Sequence, residues 1–214
     1  MFKSLILIAA LVASGPVSAK TKMKSLKIGD LAPDFSLQGH DGKTYSLSQF
    51  KGKNVVVLEW FNKDCPYVQK FYETNTMQKL QEEQLGKGAT KERPQIKWLT
   101  ITSFGVGKDK KGQIDLAGAA QIYKDSGMKS TAYLIDPGGK TGQAYGAKAT
   151  PHMYIIDKDG KLYYQGAIDD QRSSDKETLK NAQNYVVAAI TAMEKGEKTP
   201  KEASTAPYGC DVKY

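Results

Sequence analysis

The chain has 214 residues, 40% of them hydrophobic and 25% charged, which is enough apolar content for one compact domain with a substantial core. Its formal charge of +8 is spread along the chain, with a short local run at Lys108, Lys110 and Lys111. The basic residues are not interleaved with aromatics, so the pattern describes a solvated face suited to acidic partners or an envelope surface and counts against nucleic-acid binding.

Residues 1–19 carry Lys3, an apolar stretch over 5–13 and the small-x-small end Val17-Ser18-Ala19. That is the pattern of a secretory signal peptide cut near Ala19, too short to span a bilayer. Lys20 follows the cut, so a lipid-modified cysteine is not expected there, and no other segment is apolar enough to cross a membrane. The expected organisation is a leader over 1–19, one domain over 20–195 and a tail over 196–214. The expected location is periplasmic or secreted.

After a polar lead-in ending at Ala32-Pro33, residues 35–37 and 44–47 flank His40-Asp41-Gly42-Lys43 and predict a β-hairpin. Residues 48–52 make a turn into the run 55–61, β-branched and aromatic and bounded by polar residues, which predicts a buried strand. A helix follows from Pro66 to about residue 85, with Val68, Phe71, Tyr72, Met77 and Leu80 inward and Gly86-Lys87-Gly88 as its stop. Then come a strand over 96–104, a helix over 114–126, a strand over 133–135 and a turn at Pro137-Gly138-Gly139. Gly139-Lys140-Thr141 is not a phosphate loop, because Leu134 stands where that motif needs a glycine. Strands over 153–156 and 162–164 form a hairpin, an amphipathic helix covers 176–194, and a polar tail ends in Tyr208-Gly209-Cys210. Alternating strands and helices predict an α/β fold whose sheet is largely parallel and covered on both faces, with one antiparallel edge pair. In such sheets chemistry gathers at the carboxyl ends of strands, and Cys65 lies at one.

Cys65 is the candidate nucleophile. Pro66 suits a first helical residue, which leaves the Cys65 sulfur beside the free N–H groups and positive dipole end of a helix, a location that favours thiolate. Cys210 is the second of two cysteines, and the two histidines, His40 and His152, form no ligand cluster with them, which speaks against zinc. No cofactor is implied.

The chain resembles the thioredoxin-like redoxin family, which includes peroxiredoxins of AhpC/TSA type and periplasmic thiol–disulfide oxidoreductases. The resemblance is carried in order by 28–35 (Ile-Gly-Asp-Leu-Ala-Pro-Asp-Phe), by Asp41-Gly42-Lys43 with 46–53, by the strand into Cys65, and by Ala149-Thr150-Pro151-His152 with 154–161. Asn62-Lys63-Asp64-Cys65-Pro66-Tyr67-Val68 with the Gly-Cys tail is similar to a less studied exported peroxiredoxin-like subgroup. The resemblance implies a thioredoxin-like fold, a central mixed sheet flanked by helices, here with an N-terminal β-hairpin extension. It implies a cis Thr150–Pro151 bond packed against Cys65, where the plain alternative is an ordinary strand-start proline. Thioredoxins carry Cys-x-x-Cys, whereas Val68 stands at the second place here, so Cys210 is the candidate resolving thiol, brought close by a flexible tail in the same chain or in a partner subunit. A permanent structural Cys65–Cys210 bridge, worth about 5 kcal/mol, is the competing reading. Glu59 matches the buried acid of thioredoxins and could move a proton to or from Cys65, unless it points to solvent at an edge.

Peroxidase activity is less well supported. The peroxiredoxin P-x-x-x-T-x-x-C pattern has Leu58 and Asn62 at its first two places; Asn62 can still donate a hydrogen bond, but Leu58 cannot replace proline. Neither arginine, Arg93 or Arg172, stands where the family arginine would. His152 could tune the thiolate if its ring faces the sulfur, and Trp60, Phe61, Tyr67 and Tyr72 could line an apolar groove. Three functions follow from this reading: thiol–disulfide exchange, hydroperoxide reduction with Cys210 resolving, or a non-catalytic binding module. The expected partners are a thiol or disulfide protein or a hydroperoxide, plus an external reductant, and oligomers are possible.

Overall fold

The computed structural model describes residues 26–90, 95–107 and 112–214. The expected leader, the lysine run at 108, 110 and 111, and Arg93 lie outside them.

The centre of the sheet is β3 (Asn54–Trp60), a run so apolar that six of its seven residues are buried. It pairs in parallel with β4 (Gln95–Phe104) and antiparallel with β7 (His152–Ile156), so Trp60 lies between Ile101 and His152. β5 (Ala132–Pro137) adds in parallel to β4, and β8 (Leu162–Gly166) adds antiparallel to β7. The predicted hairpin is β1 (Ser36–Gly39) with β2 (Thr44–Ser46), and β1 joins β5 antiparallel. The full order is β2-β1-β5-β4-β3-β7-β8. Parallel pairing is therefore confined to the middle three strands, a correction to the largely parallel sheet that helix–strand alternation predicts. Both hairpins join the same sheet because their inward residues continue its apolar faces.

Side-chain alternation along the strands divides the core in two. On one face Val55, Val57, Ile96, Trp98, Tyr133 and Met153 meet Phe71 of α1 (Pro66–Glu73), Met77 of α2 (Thr76–Gly86), Ala119 of α3 (Leu116–Asp125) and Val186 of α5 (Tyr185–Glu194). On the other, Val56, Leu58, Trp60, Leu99 and Tyr154 pack under Phe35, Phe50 and Tyr145 of α4 (Lys140–Tyr145).

Three helices depart from expectation. The helix predicted from 66 to 85 is two, because the Thr74 hydroxyl takes the carbonyls of Lys70 (2.7 Å) and Phe71 (3.2 Å) and Asn75 turns left-handed at φ 57°. The expected turn after Pro137 opens α4, whose first amides at Thr141 and Gly142 donate to the Asp136 carboxylate at 3.2 and 2.9 Å. The closing helix begins as a 3-10 turn over Lys176–Asn181, and α5 starts afresh where the Asn184 side chain accepts from the Val187 amide at 3.0 Å. No helix among the described residues is long and apolar enough to cross a membrane.

The C-terminal residues are a strap rather than a loose tail. Thr205 is bonded to Gln165 and Ala167, Tyr208 is buried, and Gly105 donates to Lys213 O at 2.8 Å. Between these anchors β9 (Cys210–Asp211) pairs antiparallel with β6 (Ala149–Thr150) as a separate two-stranded ribbon. Asn75→Ala, which places an ordinary side chain in the left-handed region, is expected to lower the unfolding free energy by about 1 kcal/mol in urea titration.

Candidate active site

The loop before Cys65 is shaped by its own side chains. Asn62 Oδ1 accepts from the Asp64 amide at 3.0 Å, Asn62 O accepts from the Cys65 amide at 3.1 Å, and Lys63 O accepts from Gln69 Nε2 at 3.0 Å. Cys65 then sits in extended backbone as the residue capping α1, with Pro66 first in the helix and the Val68 and Gln69 amides both donating to Cys65 O at 2.9 Å. This is the predicted location. The sulfur, however, makes no capping hydrogen bond to the helix amides. It donates instead to Thr150 O at 3.1 Å, and the residue is 0% exposed.

Thr150 O belongs to the cis Thr150–Pro151 bond, so that linkage lies directly against Cys65. The same residue faces Cys210 across the β6–β9 ribbon, and Thr150 Oγ1 donates to Cys210 O at 3.3 Å. Gly209 passes so close that a Cβ there would stand 2.0 Å from Thr150 O, and its φ of 131° is one that side chains rarely adopt. Both cysteines are free thiols in this state. Burial, a hydrogen bond with Cys65 and the negative charge Cys65 can carry push the Cys210 thiol up to about 12. Cys210 is therefore protonated at neutral pH while Cys65 is unengaged.

Glu59 is wholly buried on the same sheet face as Cys65, not at a solvent edge. Its carboxylate accepts from Trp98 Nε1 (2.8 Å), Tyr72 Oη (2.9 Å), Gln81 Nε2 (3.1 Å) and Thr100 Oγ1 (3.2 Å). Burial raises its pKa, and the four donors pull against that rise. His152 lies on the opposite face of the sheet, its Nδ1 facing the Lys148 amide at 3.3 Å and Tyr154 Oη at 3.2 Å. Burial, helped by Lys148, holds it neutral down to about 3, so it does not face the sulfur as one reading allowed. Trp60 is core, bonded to Ser103 Oγ at 3.0 Å. Phe61 and Tyr72 do reach an open cleft of about 380 Å³ shared with Val68 and Gln69. Tyr67 instead packs its ring against Tyr208 at 5.8 Å.

Sequence reasoning missed a buried polar cluster beneath the strap, made by Lys70, Asp169 and Tyr208. Nothing in Val68-Gln69-Lys70-Phe71 distinguishes a buried lysine from a solvated one. The aromatic two places before Cys210 was the only visible signal. Among the described residues no group of three His, Cys, Asp or Glu is placed to hold a metal ion.

The AhpC/TSA family model matches residues 28–165. The chain belongs to the AhpC/TSA family. It is a thioredoxin-fold redoxin, a redox enzyme at the level of its family. A thiol-disulfide oxidoreductase ResA of Bacillus thuringiensis subsp. konkukian is 26% identical over 166 residues, covering 75% of this chain and 81% of that protein. An uncharacterized conserved protein from Geobacillus kaustophilus superimposes with a TM-score of 0.69 at 24% identity, covering 88% of this chain and 93% of its own. A putative thiol:disulfide interchange protein DsbE from Chlorobium tepidum gives a TM-score of 0.52 at 25% identity, over 78% of this chain and 99% of its own.

Glu59→Gln turns an amide donor toward donors that now point at a carboxylate, so unfolding free energy should fall by about 1–3 kcal/mol. The pH dependence gives a second check. A carboxyl whose pKa is raised on folding binds more protons when folded, so its contribution is full below the unfolded value of 4.5 and declines as pH rises towards the folded one. Urea titrations across pH should show that decline in the wild type and not in Glu59→Gln.

Proposed function

We propose that this protein is an exported thiol–disulfide oxidoreductase in which Cys65 is the nucleophile and Cys210 the resolving thiol. The observation that carries this reading is the convergence of both cysteines on Thr150 at the start of α1: Cys65 Sγ donates to its carbonyl, and Cys210 pairs with it across the β6–β9 ribbon. A relative named as a thiol-disulfide oxidoreductase supports the reaction class. The leader-like residues 1–19 support export.

In the reducing direction Cys65 gives up its proton and attacks a partner disulfide. The partner S–S bond breaks, a mixed disulfide forms, and one partner sulfur leaves as a thiolate that takes up a proton. Two of the causes that raise the Cys210 pKa, its hydrogen bond with Cys65 and the Cys65 charge, are removed at that moment. Cys210 can then lose its proton and attack the Cys65 sulfur, releasing the second partner thiol and leaving a Cys65–Cys210 disulfide. Two electrons have passed to the partner, and an external dithiol returns them. The reverse sequence oxidises a partner dithiol.

Pro151 and Thr150 set the geometry, with the Thr150 carbonyl holding the Cys65 thiol proton before reaction. Glu59 acts as a proton reservoir behind the site, with Tyr72 linking it to the Phe61 cleft. Asn62 works through the loop it shapes, its side-chain oxygen being committed to Asp64. Disulfide exchange is favoured over hydroperoxide reduction, because Leu58 and Asn62 replace the residues that peroxide chemistry uses.

Incubation with oxidised glutathione should yield an intramolecular Cys65–Cys210 disulfide detectable by mass spectrometry. Cys65→Ser should abolish exchange with a protein disulfide, and Cys210→Ser should accumulate the mixed disulfide. Hydrogen peroxide should react with Cys65 no faster than with free cysteine; a much faster rate would transfer the assignment to a peroxidase. The protein recovered from an envelope fraction should begin at Lys20.

A further inference from the structure

The nucleophile in this structure is closed off. Cys65 has no exposed surface, and the backbone edge of β6 beside it is taken by β9 of the same chain. An extended partner segment cannot lie along Ala149–Thr150 until Cys210 and Asp211 leave. What keeps the strap down is therefore a question about the reaction.

The strap is anchored two residues before Cys210. The Tyr208 hydroxyl donates to Asp169 Oδ1 and lies 3.4 Å from Lys70 Nζ, so it bridges a buried cation and a buried carboxylate. Lys70 is in α1, the helix that Cys65 caps, and is wholly buried. Its ammonium also donates to Gln171 O at 3.1 Å and stands over the rings of Phe71 (4.8 Å) and Tyr208 (5.4 Å). Asp169 accepts from the Gln171 amide at 3.0 Å through the oxygen that holds Tyr208, while Oδ2 is buried without a hydrogen bond. Taking charges out of water is costly unless they are paired and bonded. With the strap closed the Tyr208 hydroxyl supplies that bridge; with it lifted, water can.

We propose that Lys70, Tyr208 and Asp169 form a latch that holds the strap over Cys65, making them positioning residues that set both the access of substrate to Cys65 and the return of Cys210. The inference deepens the proposed function and rests on Cys65 being the reacting thiol. The latch couples two steps in opposite senses: weakening it exposes Cys65 and makes the Cys65–Cys210 bond harder to close.

The test uses Tyr208→Phe, which keeps the ring and removes only the bridge. In a Cys210→Ser background, iodoacetamide alkylation of Cys65 should speed up about ten- to hundredfold, the scale of a hydrogen bond to charged groups. In the two-cysteine protein the rate at which Cys210 resolves a Cys65–glutathione mixed disulfide, a state in which the strap is lifted and must close again, should fall by about the same factor. Gly209→Ala, whose methyl collides with Thr150 O, lifts β9 without touching the latch and should also speed alkylation. Faster alkylation in Gly209→Ala but not in Tyr208→Phe overturns the latch. No change in either overturns the strap as the cover. If the wild type forms no intramolecular disulfide, the resolving role of Cys210 fails, and the alkylation rates still decide the latch.

Discussion

Two backbone pairings, Ala149 with Asp211 and Thr150 with Cys210, hold the C-terminal strap against the start of α1. Through Thr150 they place the second thiol beside the first, although the two are far apart in the chain. Thr150 serves both sides: its carbonyl takes the Cys65 thiol, and its hydroxyl takes the Cys210 carbonyl. The approach is so close that only glycine fits at 209, and the strap repeats the device earlier, where Thr205 lies over Gly166 in a space a Cβ would fill. A second cysteine within the α1 helix would need no such machinery. Moving it to the chain end makes its proximity conditional on the strap.

Helix α1 is held from two directions by buried polar groups. Tyr72 ties it to Glu59 and so to the sheet, and Lys70 ties it to the strap through Tyr208. Buried polar groups stabilise only when bonded, so each network is sensitive to the loss of one member. The networks differ in completeness. Glu59 has four donors from α1, α2 and β4, which makes that junction rigid. Asp169 leaves one oxygen without a hydrogen bond, which makes the strap junction the weaker of the two. The rigid junction lies behind Cys65, and the weaker one lies over it.

Parts of this arrangement were legible in the residues. The apolar run into Phe61 and the Cys65-Pro66 boundary announce a strand ending in a helix with a thiol at its cap, because β-branched packing and the fixed φ of proline act locally. The Asp-Gly turns did the same for the two hairpins. The splitting of the helix at Thr74-Asn75 was not legible, since it depends on one hydroxyl finding two carbonyls. Nor was α4, whose start depends on a carboxylate already placed by β5. The burial of Lys70 depends on Asp169 and Tyr208, one about a hundred positions away and the other further still.

The sequence by itself determined the strand-and-helix order, the position of Cys65 at a helix start, and a family pattern that implied the cis bond and a buried Glu59. Each is a matter of short-range sterics or of a motif readable in consecutive residues. Only the tertiary structure decided that the tail is a paired strand, that Cys210 lies against Thr150 beside Cys65, that His152 faces away and that Cys65 is covered. Those outcomes turn on which polar groups become partners once the chain has closed on itself, and hydrogen bonds between distant residues leave no periodic trace along the chain.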